Sequence, residues 1–372
     1  MYSDSASAHS RHMFESDDKY AAVVPQEKVP RMKLNYTKKI AGGLASLALA
    51  ALPTTGCSGD PAQGEGVVAP METGAASAAL ASAGCRGAGV SPGTYTQYIT
   101  SSGISRKYII NIPSTYRTTT PARVVLYFHG LGGDAAGPSQ GELKTEGENN
   151  NYVTVFPEGA FGADGKTRGW NAGSCCTTTN DVQFARDVVA DVSANVCVDS
   201  KRVFATGFSM GALLTYRLAC EAADVFAAGV SVAGSYMFKA GQTAPACNPV
   251  RPISFLEIHD TADSGVCYAG NTVGTTTPCS WDPNKYMSVD ATNKMWRAKN
   301  GVSRTASIFY QNSGVTCERW SQGRNGSVVE RCKITDSTVP LHHCTPGASG
   351  GCTASIGANT AISAFTAANP MP

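Results

Sequence analysis

Between residues 107 and 368 the apolar positions repeatedly change period. Short β-branched and aromatic runs occupy 107–112 (KYIINI), 123–129 (RVVLYFH) and 152–156 (YVTVF), the last closed by Pro157 and Gly159. Such runs predict strands. Val182, Ala185, Val189, Val192 and Val196 then recur at helical spacing, which predicts an amphipathic helix over 181–196. The alternation continues with strands predicted at 202–206, 228–233, 253–259, 306–310 and 328–334. Helices are predicted at 210–223, 288–300 and 360–368, with Ser288 as an N-cap and Gly301 as a stop. Strands that alternate with helices point to an α/β architecture, a mostly parallel sheet covered on both faces.

The N-terminal part has a different texture. Residues 1–31 carry no apolar period, and we read them as a non-structural extension ahead of a true start at Met32. Lys33, Lys38 and Lys39 precede an apolar run of 14 residues at 40–53. A bilayer span needs about 20 residues, so 32–57 is expected to be an export signal. It ends in Gly56-Cys57 as a lipoprotein signal does, although Thr54 stands where such signals usually carry Leu. A lipid anchor at Cys57 and simple secretion therefore both stand. Residues 58–84 contain 8 Ala, 5 Gly and 3 Ser, which predicts a flexible linker. One folded domain is expected over 85–372.

Composition narrows the function. The 372 residues hold 30 Lys+Arg and 28 Asp+Glu, a net +2 that excludes nucleic-acid binding driven by bulk charge. The 13 cysteines are too many for a reduced cytosolic chain without metal. Removing Cys57 leaves 12, enough for six disulfides. The spacing contains no paired C-x2-C motifs, so neither a zinc site nor any cofactor is expected.

One motif carries chemistry. Gly207-Phe208-Ser209-Met210-Gly211 follows the strand RVFAT and opens the helix MGALLTYRLAC. This is the strand–turn–helix context in which G-x-S-x-G presents a nucleophilic serine. Such a serine needs a base further along the chain, and only His342 and His343 lie in a late loop. The acid should close a strand between them. Asp263, after ISFLEI, is the first candidate and Asp260 the second, ahead of Asp282, Asp290 and Asp336. Backbone N–H groups for an oxyanion are expected from Met210 and from the glycine-rich loop after 129, at Leu131 or alternatively Gly130. Trp170 and Trp281, with Tyr127 and Tyr236 behind them, are the candidates for an aromatic acyl pocket.

The segments CRGAGVSPGTYTQYITSSGISRKYIINIP, FHGLGG, FPEG, GWNAGSCC, VCVDSKRVFATGFSMGALLTYRLAC and HDTAD occur in an order that resembles the secreted feruloyl esterases of carbohydrate esterase family one. Their relatives described as poly(3-hydroxybutyrate) depolymerases share the pattern, and the likeness covers about 85–368. It implies a disulfide-rich α/β-hydrolase fold and a secreted monomeric serine esterase acting on feruloylated plant cell-wall polysaccharide such as xylan. Polyester depolymerase and acetylxylan esterase are the alternatives, and a non-catalytic surface lipoprotein is the remote one. The resemblance places the nucleophile on Ser209, the acid of its HGTAD motif on Asp263 and the base of its G-G-H-T-P segment on His343. Asp260, His342 and Cys344 depart from the expected residues there. A disulfide at Cys344 would stiffen the loop that carries His343. The resemblance further implies that Cys175 and Cys176 are each bridged elsewhere rather than to one another.

Overall fold

The computed structural model describes residues 81–86, 90–238, 246–271, 279, 285–347 and 355–372. The expected export signal, Cys57, most of the linker, Trp281 and Cys352 lie outside the described residues.

Among the described residues, twelve strands and five α-helices follow in chain order. The strands are β1 (Gly93–Ser101), β2 (Ile104–Ile112), β3 (Ala122–Phe128), β4 (Val153–Pro157), β5 (Ala160–Phe161) and β6 (Arg168–Gly169). They continue as β7 (Val198–Phe208), β8 (Ala228–Val232), β9 (Ser254–Asp260), β10 (Ser307–Gln311), β11 (Val315–Trp320) and β12 (Val329–Ile334). The helices are α1 (Glu142–Asn149), α2 (Asp181–Asn195), α3 (Met210–Glu221), α4 (Val289–Asn300) and α5 (Ala358–Ala368).

Ten strands form one sheet in the order β1-β2-β4-β3-β7-β8-β9-β12-β11-β10. Its centre, from β4 through β12, is parallel. Antiparallel strands extend it at both edges. The central strands β4, β8 and β9 are buried at every position, as expected where helices cover both faces of a parallel sheet. The helices α2, α3 and α4 cover one face and α1 and α5 the other. This order, with a serine at the end of the fifth strand of the large sheet, is the α/β-hydrolase architecture.

Several elements escape the apolar pattern. β1 is Thr- and Gln-rich and half-exposed at the sheet edge. It pairs with β2 through a tight turn in which Ser102 and Gly103 both take positive φ, 49° and 81°. That is the turn type that matches strand twist in a two-residue hairpin. α1 is largely charged and buries only Leu143 and Gly147. In α2 the buried stripe is Val182, Phe184, Ala185, Val188 and Val192, so Val188 takes the place expected for Val189. Asn180 caps α2 by accepting from Gln183 N–H. α4 runs from its cap at Ser288 to Gly301, which adopts φ 66°. Its Trp296 is core, stacked on Phe255 with ring centroids 5.3 Å apart.

The domain also begins earlier than composition suggests. Ala81 bridges to Asp199, and Ser82 Oγ donates to Val196 O at 2.8 Å. Cys85 is disulfide-bonded to Cys197 across 112 residues. Closing a loop of that length contributes on the order of 4–5 kcal/mol. Residues 81–84, counted above as linker by their Ala and Gly content, are thus docked on the start of β7.

Candidate active site

The chain turns sharply where β7 meets α3. Ser209 sits at the turn with φ 55° and ψ −119°, a left-handed conformation that a side chain rarely adopts. Its N–H donates to Val232 O at 3.0 Å, and its carbonyl accepts from Ala212 and Leu213 N–H, both at 3.0 Å. The two glycines are required by crowding. A Cβ on Gly207 would come 2.8 Å from Phe128 O, and one on Gly211 would overlap that same carbonyl oxygen. We therefore expect Gly211→Ala to destabilise the protein by about 3 kcal/mol or more. An unfolding midpoint equal to the parent's would contradict this packing.

The end of β12 leads into a loop with two consecutive strained residues, Leu341 at φ 65° and His342 at φ 54°. The next residue, His343, points back to the turn. Its Nε2 lies 2.8 Å from Ser209 Oγ and its Nδ1 lies 2.8 Å from Asp263 Oδ2. Phe208 packs against the ring, with centroids 4.9 Å apart. Gly265 leaves room for it, since a Cβ there would stand 2.6 Å from His343 Cγ. The two loops are joined by Ser264 N–H donating to Leu341 O at 2.9 Å.

Asp263 is buried just beyond β9. Its Oδ1 accepts from Gly265 and Val266 N–H at 2.7 and 2.9 Å, which fixes the carboxylate plane. Burial alone would raise its pKa, but hydrogen bonds from His259 and His343 outweigh burial and hold it below the ordinary value. The competing candidates stand apart. Asp260 accepts from Ala262 N–H at 2.8 Å, and His342 Nδ1 lies 3.5 Å from Asp260 Oδ2. Two of the three departures from the expected pattern, Asp260 and His342, thus face one another beside the Ser209–His343–Asp263 arrangement, not within it.

The loop after β3 approaches the same serine. A Cβ on Gly130 would lie 3.4 Å from Ser209 Cβ, so the Gly130–Leu131 peptide runs alongside the hydroxyl. Leu131 turns its side chain to solvent. Met210, the first residue of α3, has no intrahelical acceptor for its N–H. His129 is buried and braces this loop. Its Nε2 accepts from Gly159 N–H at 2.9 Å, so Nδ1 is the nitrogen that donates to Gly130 O at 2.7 Å. Burial lowers the pKa of this imidazole and keeps it neutral.

Trp170 corrects an expectation. It is fully buried, donates from Nε1 to His129 O at 2.8 Å and packs edge-on against Phe128. It supports the loop from below and lines no acyl pocket. The G-W-N context gave no sign of this, because a tryptophan's burial depends on which strand lies over it. Tyr236 is likewise core. Trp281 is outside the described residues.

All 11 described cysteines are disulfide-bonded. The pairs are Cys85–Cys197, Cys175–Cys176, Cys220–Cys247, Cys267–Cys279 and Cys317–Cys332, and Cys344 is bonded as well. Cys175 and Cys176 join each other, contrary to the bridging elsewhere that the resemblance implied. Among the described residues no group of three or more His, Cys, Asp or Glu is placed to hold a metal. No helix there is long and apolar enough to cross a membrane.

A hydroxyl bonded to an imidazole, whose far nitrogen is held by a carboxylate, can lose its proton as it attacks an electrophilic carbon. N–H groups beside it can stabilise the oxyanion that forms.

No family model matches the chain. It is 31% identical to feruloyl esterase B of Piromyces equi over 230 residues, which is 62% of this chain and 41% of that protein. It is 27% identical to feruloyl esterase D of Neurospora crassa over 173 residues, 43% of this chain and 54% of that one. The chain thus spans about half the length of these curated relatives. Among solved structures, the acetyl xylan esterase from Aspergillus awamori superposes with a TM-score of 0.48 at 14% identity, over 65% of this chain and 92% of that one.

Proposed function

We infer that this feruloyl esterase-like chain is an exported serine carboxylic-ester hydrolase that releases hydroxycinnamic acids from plant cell-wall polysaccharide. The observation that carries the reading is the pair of 2.8 Å hydrogen bonds by which His343 links Ser209 to Asp263. The substrate class rests on the named relatives and on the sequence resemblance.

The chemistry follows from the geometry. Ser209 Oγ attacks the ester carbonyl as His343 Nε2 takes its proton. Asp263 fixes the tautomer with Nδ1–H and stabilises the imidazolium. The negative charge that develops on the carbonyl oxygen is received by the N–H groups of Met210 and Leu131 at the positive end of α3. Collapse expels the sugar alcohol, which takes its proton from His343, and leaves a feruloyl ester on Ser209. Water enters, gives its proton to His343 and attacks that ester. The second tetrahedral intermediate then releases the acid and restores the serine.

The domain division stated above, with the folded domain now starting at about residue 81, and with export directed by 32–57 and Cys57 at its end, belongs to the same proposal. The disulfide content supports it, since such bonds persist in oxidising compartments.

The test is release of ferulate from methyl ferulate, run beside release of acetate from acetylated xylan and of 3-hydroxybutyrate from a soluble oligomer. Ferulate is the expected product. Hydroxybutyrate or acetate alone would reassign the substrate class. Absence of all three, with no labelling of Ser209 by a fluorophosphonate, would overturn the hydrolase reading.

A further inference from the structure

A second histidine grips the same carboxylate. His259 is the penultimate residue of β9, and its side chain is fully buried. Its Nδ1 lies 2.9 Å from Glu257 Oε1 and 3.0 Å from Gly234 O. Its Nε2 lies 2.9 Å from Val266 O and 3.1 Å from Asp263 Oδ2. Two of these oxygens are carbonyls and two belong to carboxyl groups. A neutral imidazole has a single N–H, so one of its nitrogens would present a lone pair to two oxygens. Only the doubly protonated ring satisfies both sides, and two carboxylates flank it to balance the charge.

The side chains thus form a line through the fold. Tyr216 of α3 donates to Glu257 Oε2 at 2.5 Å, Glu257 holds His259, His259 holds Asp263, and Asp263 holds His343. Glu257 and His259 are two residues apart on one strand and so project to the same face. From other elements, the ring of Tyr268 meets His259 edge-on at 5.6 Å. The Tyr268 hydroxyl donates to Asp290 at 2.9 Å, and Arg331 of β12 pairs with Asp290 and with Glu318.

We propose that His259 is a positioning residue, held as a permanent imidazolium, that shares Asp263 Oδ2 with His343 and tempers the carboxylate's pull on the His343 proton. The inference rests on the serine-hydrolase reading above and deepens it. Burial opposes a charge on His259, but the hydrogen bonds to Asp263 and Glu257 outweigh burial and raise its pKa to about 10. Burial also pushes Glu257 up, while His259 and Tyr216 pull it back without cancelling the rise. A raised histidine pKa means that this contribution to stability is complete below the unfolded value of 6.5 and is lost as pH climbs through 10.

Two measurements test the proposal. In 15N-histidine-labelled wild-type protein, one imidazole should keep both ring nitrogens protonated from pH 7 through about pH 9. A His259 imidazole that is neutral at pH 7 would overturn the idea. In His259→Gln, the positive charge on Asp263 Oδ2 is gone, and the protonated form of His343 is favoured. The two ring nitrogens share one oxygen and so lie within about 6 Å. The acid limb of kcat/KM should therefore move to higher pH by about one unit or more. A merely structural loss would lower the plateau and leave the limb in place. An unmoved limb in folded His259→Gln would also defeat the proposal. If that variant does not fold, Glu257→Gln replaces it, since it keeps the shape and removes the charge that retains the proton. In that case the labelled imidazole should lose its second proton at lower pH than in wild type, and retention to pH 9 would count against the network. Fluorophosphonate labelling of wild-type Ser209 separates the two readings. Without it the hydrolase reading fails, whereas with it an unmoved limb refutes only the role of His259.

Discussion

Ser209→Ala should lower kcat for ester hydrolysis by about a millionfold while the protein still folds. The hydroxyl forms the bond to the acyl carbon in the proposed mechanism, so no neighbouring group replaces it. Ser209 is half-exposed at the turn and its Oγ makes its hydrogen bond to His343, so truncation leaves no cavity in the core. Alanine keeps the Cβ that makes positive φ costly, so the backbone strain at 209 is unchanged by the substitution. Residual activity should come from binding and from the N–H groups of Met210 and Leu131. His343→Ala should cost nearly as much, and the double variant scarcely more, because the pair acts as a unit. Turnover of a chromogenic ester, measured with circular dichroism to verify the fold, checks this. Losses that multiplied in the double variant would mean that the two residues act independently, contrary to their 2.8 Å contact.

Asp263→Asn should lower kcat by about 10⁴-fold. The carboxylate accepts from His343 Nδ1 and from two backbone N–H groups, at Gly265 and Val266. The backbone bonds pin Oδ1, so an amide at this position presents its NH2 to His343. The imidazole then turns its lone pair toward the amide and its proton toward Ser209, which removes the base. The same NH2 would confront the protons of His259, so this substitution should also destabilise the fold. Asp260→Asn is the control. Asp260 caps the turn through Ala262 N–H and faces His342, so its variant should retain activity within about tenfold, the scale of one modest interaction. If Asp260→Asn lost as much as Asp263→Asn, the assignment of the acid would have to be exchanged. Steady-state kinetics across pH 5–10, with unfolding curves for both variants, makes the comparison.

The site was legible in the sequence to an uneven degree. The turn at Ser209 stood out because a strand that ends directly in a helix through so tight a bend admits few residues at 207 and 211. That is a local constraint, written in neighbouring positions. The late loop was legible by its position in the chain, but His342 and His343 are adjacent, and composition does not say which one faces inward. The two positive-φ residues before His343 decide the direction, and neither is a glycine. Asp260 and Asp263 posed the same problem one turn apart.

Two of the misses have a common cause. Trp170 was a candidate for an aromatic acyl pocket because an aromatic side chain can face a bound acyl group. It is instead the floor beneath His129. Cys175 and Cys176 looked like partners for distant sulfurs, and residues 81–84 looked like tether. For Trp170 and residues 81–84 the outcome depended on which other part of the chain packs against them.

What this sequence determined by itself is whatever short-range chemistry enforces. The alternation of apolar runs imposes a mostly parallel sheet, and the glycines at 207 and 211 permit the sharp bend at Ser209. Ser288, Asn180 and Gly301 set helix ends through bonds spanning a few residues. The tertiary structure alone decided which distant groups meet. It brought His343 to Ser209 across 134 positions, and set His259 and His343 on one oxygen of Asp263. The physical reason is that hydrogen bonds, pKa shifts and burial depend on distances of about 3 Å, and the chain fixes such distances between remote residues only by closing its core.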